Sequence, residues 1–244
     1  MPLRLVAARS TRTGFAALML AHAASTHAAT TPWPEIPTLP RSNLEWSLHD
    51  ALVDGIPTRA QTFESELTAS EVLQFYSAHW SHLPGGAPVR KRVGEWETVS
   101  AVFGPFQMVV QARSNDPQGS RGNISVMNLG EQQADWKPRS WPQWSDTSLV
   151  QVTETDDGPR HNQAVEMISR ASLDVVAQRW RDDWARRGYR IAEEHKLAAG
   201  GQRGWIFLMN GEETTLDATL TEMAGGHVVA IHANRLGRNA GAGR

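Results

Sequence analysis

The sequence predicts an α+β fold made of two tandem similar modules, each an antiparallel sheet of about five strands with one helix packed across it, in the order ββαβββ. Three observations predict it. The chain repeats its own pattern at a period near 104, so that Val72, Tyr76 and Trp80 correspond to Val176, Trp180 and Trp184, each 104 positions later. Each copy holds one stretch with apolar residues at helical spacing. The remaining runs either alternate apolar with polar, as strands wet on one face do, or are apolar on both faces.

Taken in order, each copy opens on a hairpin. Asp54-Gly55 recurs as Asp157-Gly158, each pair between extended-looking runs, the residue types that a two-residue turn with positive φ requires. The first helix starts at Thr68, which can cap it while Glu71 reaches back to complete a capping box and Leu67 staples to Val72. Val72, Leu73, Tyr76, Trp80 and Leu83 fall on one stripe. The second helix has Ser172 as cap, Asp174 in its first turn, Arg186 and Arg187 in its last, and Gly188 as stop; its stripe is Leu173, Val176, Ala177, Trp180 and Trp184. After the helices come turns at Gly104-Pro105 and Asn210-Gly211. Phe106, Met108, Val110 and Ala112 share one face of a strand, as do Leu216, Ala218 and Leu220. Trp205, Phe207 and Met209 alternate with Ile206 and Leu208, and Val228 and Ala230 with Val229 and Ile231, so both strands are expected centrally in the second sheet. The copies are expected to re-register at Gly122–Val126 and Gly226–Ala230.

The segments outside the modules have their own signatures. Residues 1–28 read as a secretory signal peptide: Arg4, Arg9 and Arg12, the apolar run Gly14–Ala21, then small residues, with cleavage expected after Ala28 and Ala23 as the second site. The apolar run is about half of the roughly 20 residues a spanning helix needs, so no membrane span is expected. A Pro/Trp-rich leader covers 29–43, the first module 44–129, a Trp/Pro-rich linker 130–147, the second module 148–235 and a loose tail 236–244. Each module thus owns a Trp-Pro leader. In the second, Trp136, Lys137, Arg139, Trp141 and Trp144 are the candidate ligand- or partner-binding residues. Three indole rings interleaved with two cations can grip an extended peptide or a sugar face. The plainer alternative is that the rings pack onto their own module or fill the seam between modules.

Composition removes several functions. Loss of the signal peptide's three arginines takes the net charge from −2 to −5, which argues against a nucleic-acid partner held by phosphate neutralisation. With no cysteine, thiol nucleophiles, disulfides and thiolate metal sites are excluded. His79 and His82 share a helix face, but no third ligand stands at a matching spacing; His227 and His232 fall on opposite faces of a strand. Asp156-Asp157, Glu193-Glu194 and Glu212-Glu213 are adjacent carboxylates, which diverge instead of converging on a cleft. Gly200–Gly204 precedes a strand, the reverse of a dinucleotide fingerprint. Arg179, Arg181, Arg186 and Arg187 share the second helix with Asp182 and Asp183 and read as a salt-laced outer face. No metal, cofactor or catalytic residue is therefore expected. The functional expectation is an exported, periplasmic or secreted, non-catalytic interaction or assembly protein of the bacterial cell envelope or its secretion apparatus, binding a protein partner through sheet surfaces and Trp-Pro segments. The alternatives are a periplasmic glycan or small-ligand binding protein and, behind it, a hydrolase.

Overall fold

Asp54 and Gly55 both take positive φ, 51° and 75°, and Val53 and Ile56 face each other across this two-residue loop. The computed structural model describes residues 31–115, 119–133, 136, 141–199, 201–226 and 228–238. The signal sequence expected over 1–28 lies outside the described residues, as do Lys137 and Arg139. The chain divides into the units Met1–Trp33 and Pro34–Arg244, and every element below belongs to the second.

The first module runs β1 (Ser42–Val53), β2 (Ile56–Ser65), α1 (Ala69–Trp80), β3 (Val89–Val93), β4 (Trp96–Phe103), β5 (Phe106–Ser114) and β6 (Ser120–Asn128). The second repeats it as β7 (Thr147–Asp157), β8 (Arg160–Ser169), α2 (Leu173–Arg186), β9 (Arg190–Ala199), β10 (Gln202–Asn210), β11 (Thr214–Glu222) and β12 (Val229–Arg238). Both are two-layer α+β modules of the expected kind, with one strand more than the five expected: the order is ββαββββ. The additional strands, β3 and β9, are the two outer edges of the sheet. All of β3, Val-Arg-Lys-Arg-Val, is exposed; an edge strand buries neither face well and carries charge, so it lacks the alternation that marks a strand in sequence.

The twelve strands form one sheet in the order β3-β4-β5-β6-β2-β1-β7-β8-β12-β11-β10-β9. Read outward from its middle, each half has the same order. The join is short: β1 and β7 pair antiparallel only at Ala51–Thr155, Leu52–Glu154 and Val53–Thr153. The Asp54 N–H donates to the Val152 carbonyl at 2.9 Å, and the Asp54 carboxylate accepts from the Val152 N–H at 2.9 Å.

Register corrects two expectations. Phe63 faces Gly122, whereas Met167, 104 positions after Phe63, faces Ile231, 109 after Gly122. The copies do not re-register at Gly226, which lies in the turn before β12 with φ 71°. The second copy's β9–β10 hairpin is longer, and this shifts everything after it. β12 is central, between β8 and β11, but β10 lies one strand in from the edge, and its Leu208 is exposed. β12 also runs to Arg238, three residues past position 235.

One face of the sheet carries both helices. Thr68 accepts from the Glu71 N–H while the Glu71 side chain accepts from the Thr68 N–H, the capping box its sequence specifies. α1 buries Val72, Leu73, Tyr76 and Trp80 over a sheet face where Val99, Phe106, Met108, Val110, Ile124 and Val126 are buried. The Tyr76 hydroxyl donates to the Pro37 carbonyl at 3.0 Å, and Leu39 is buried, so the first leader is tied to its own module. Burial pushes the Tyr76 phenol above its ordinary range. α2 is capped by Ser172 without a side-chain hydrogen bond, and it ends where Gly188 takes φ 85°. Its Trp180 and Trp184 pack with Phe207, Met209, Leu216 and Leu220.

Candidate functional site: the second Trp-Pro leader

The leader of the second module lies against α2, β7, β8 and β12. Trp141 is 5% exposed and stands edge-on to Trp184, ring centres 5.5 Å apart. Its indole N–H donates to the side-chain oxygen of Gln163 on β8. Arg235 of β12 donates to the same oxygen at 2.9 Å, and its guanidinium carbon stands 5.6 Å from the Trp141 ring centre. The Gln163 amide N–H donates in turn to Glu154 of β7, whose other carboxylate oxygen accepts from the Trp136 indole N–H at 3.2 Å. One polar chain, Glu154–Gln163–Arg235, therefore holds both Trp136 and Trp141.

Trp144 is half-buried. Its indole N–H donates to Asp183 at 2.7 Å, and its ring meets Trp180 edge-on at 6.5 Å. Arg179 binds both oxygens of Asp146, at 2.8 and 2.7 Å. These bonds hold the Asp146 carboxyl below its ordinary value. Trp136 sits over the first module's hairpin turn: a Cβ on Gly55 would stand 2.5 Å from the Trp136 ring. Gln133 donates its N–H to the Gly55 carbonyl at 3.0 Å. The linker's rings thus reach both the second core and the seam.

Trp141, Pro142, Gln143, Trp144, Ser145, Thr147, Leu149 and Met167 line a pocket of about 450 Å³. Its rim belongs to the first half of β7, which pairs with β8 on one side. On the other side β1 begins only at Thr153. Between them Val150 is the extra residue of an irregular register and is 51% exposed.

The structure brings Trp136, Trp141 and Trp144 to one side of the module but gives them different duties: all three indoles donate buried or half-buried hydrogen bonds, and only Trp141 and Trp144 of the three wall the pocket. Gln163, Glu154 and Arg235 were not singled out from the sequence. Gln163 had a signal, since it occupies an inward position two residues before Val165 and four before Met167, where an apolar side chain would otherwise stand.

Elsewhere the histidines make local contacts. His79 shares a 2.8 Å bond with the Phe75 carbonyl, and His49, His161, His195 and His232 each approach one carboxylate within 4 Å. Among the described residues no group of three or more His, Cys, Asp or Glu could hold a metal ion.

No family model and no curated protein matches the chain. Two solved structures are similar over most of their length. The apo structure of the immunity protein TplEi of T6SS from Pseudomonas aeruginosa is 11% identical, over 83% of this chain and 84% of that one, with a TM-score of 0.23. A conserved protein of unknown function with hot dog fold from Alicyclobacillus acidocaldarius is 10% identical, over 75% of this chain and 94% of that one, with a TM-score of 0.20. Superpositions this loose transfer neither a fold name nor a role.

Proposed function

We propose that this is an exported, non-catalytic interaction or assembly protein of the bacterial cell envelope, and that its protein partner adds an extended segment to the open half of β7. The observation that supports the reading is a strand half with no strand paired on one side among the described residues, beside an aromatic pocket. Backbone groups along Ser148–Gln151 offer the hydrogen bonds of strand addition, and alternate side chains of the incoming segment would enter the pocket walled by Trp141 and Trp144. The signal-like residues 1–28 support export, and among the described residues no helix is long and apolar enough to cross a membrane.

A photo-cross-linking residue placed at Leu149 tests this in the native envelope. One discrete polypeptide adduct is expected, and it is lost in a folded Trp144→Ala variant. No protein adduct, or an adduct indifferent to Trp144→Ala, contradicts the reading. The glycan alternative draws on the Trp144 ring beside Gln143 and Ser145; quenching of tryptophan emission by soluble cell-wall fragments, abolished in the same variant, would favour it instead.

A further inference from the structure

The face of the sheet away from the helices carries a second pocket, in the first module. Its floor is two cross-strand rows read directly from the register. One row is Asn43, Glu64, Arg121 and Arg113, on β1, β2, β6 and β5. The next is Glu45, Thr62 and Asn123, which continues on β5 to Gln111 outside the pocket lining. Trp96 of β4 closes the first row, and the Arg113 guanidinium carbon lies 4.7 Å from its ring centre. Together they bound about 520 Å³. Underneath, Gly122 lets β6 close on β5: a Cβ there would lie 1.9 Å from the Gln111 carbonyl oxygen.

The duplication provides an internal control. At the register positions of Glu64, Arg121, Arg113 and Trp96, the second module has Ile168, Ala230, Thr221 and Gly204. The same architecture is built there without a charge, so the charges of the first row are not needed to form the sheet. They are also arranged at a local expense: Arg113 and Arg121 stand directly opposite each other, a like-charge pairing that disfavours the strand pair. Arg113 is turned onto Trp96 and paired with Glu95. Glu64 and Arg121, of opposite sign and directly opposite each other, form no ion pair among the described residues, and the pocket lies over them. Cations thus line the β5–β6 side and the carboxylates of Glu45 and Glu64 the β1–β2 side.

We infer that this pocket binds a small zwitterion of the amino-acid or short-peptide class, its carboxylate on Arg121 and Arg113 and its ammonium on Glu64 and Glu45. Neighbouring strands are about 4.8 Å apart, so the two charged sides are one spacing apart from Glu64 to Arg121 and three from Glu45 to Arg113, about 5–14 Å. The termini of an extended dipeptide are about 7 Å apart and fit that span. Thr62 and Asn123 lie in the adjacent row, on the same two strands as Glu64 and Arg121, and meet the peptide group.

Calorimetric titration of the full chain with L-alanyl-L-alanine, its N-acetyl derivative and its amide tests the assignment. The free dipeptide is expected to bind, with each cap weakening it roughly tenfold or more through loss of a charge-assisted contact. Arg121→Gln should remove the preference for a free carboxylate while keeping that for the ammonium, and Glu64→Gln should do the reverse. Both side chains sit on the solvent face, and an unchanged thermal midpoint shows that each variant is folded. No binding of the dipeptide up to about 10 mM, an affinity indifferent to both caps, or equal loss in Ala230→Arg of the second module overturns it.

Discussion

Gly55 does two things that another residue cannot do at once. It takes φ 75°, which suits a two-residue hairpin, and it leaves room for the Trp136 ring, 2.5 Å from where a Cβ would be. Gly55→Ala is therefore expected to lower stability by more than the roughly 1 kcal/mol that a simple glycine-to-alanine change at positive φ suggests. Denaturant unfolding measures it, and Gly158→Ala, with φ 57° and open space around it, is the matched control with the smaller loss. The Asp-Gly signal was legible in sequence, but the ring above it was not, because Trp136 comes from 81 positions further along the chain. Asp146 gives a pH prediction. Its bonds to Arg179 lower its pKa in the folded protein relative to its ordinary 3.8, so its contribution to stability is fully present above that value and is lost as pH falls through the lower folded one. Arg179→Gln should consequently destabilise at pH 7, and the gap from wild type should narrow below about pH 4. Thermal melts across that range decide it.

The two helices begin with the same residue class and different chemistry. Thr68 makes a reciprocal capping box with Glu71, whereas Ser172 makes no side-chain bond. Thr68→Ala is expected to cost about 1 kcal/mol and Ser172→Ala much less. Equal losses in chemical denaturation would show that the two caps are equivalent. Trp184 is wholly buried against Trp180, Trp141 and Tyr189, so Trp184→Ala should cost roughly 3–5 kcal/mol. Helices, caps and inward strand faces were legible because burial against one layer imposes a period. The edge strands β3 and β9 were not, because an edge is patterned by charge and not by a core. The displacement of β12 to a 109-residue offset was hidden for a related reason. The glycines at 122 and 226 match in type, but one enables a close strand approach and the other a turn.

At the scale of the whole molecule, two copies of one topology share a sheet through three residue pairs and the Asp54–Val152 contacts. The copies have diverged where the fold leaves them free. The second leader supplies Trp141 and Trp144 where the first, 104 positions earlier, has Pro37 and Pro40, and the outer face of the first module carries the charged row that the second lacks. The Trp-Pro segments were legible as a candidate site, but their tie to Glu154, Gln163 and Arg235 depends on β7, β8 and β12 lying side by side, which no local pattern specifies. The short join leaves the first half of β7 without a strand on one side among the described residues, and the proposed partner docks there. Residue-resolved amide hydrogen exchange on the full chain tests this most directly, with the cross-linked partner absent and then present. Without it, the outward amides among Ser148–Gln151 should exchange far faster than the paired amides of Thr153–Thr155, and with it they should slow to match them. Equal protection of both stretches in the free protein, or no slowing when the partner binds, would contradict the account.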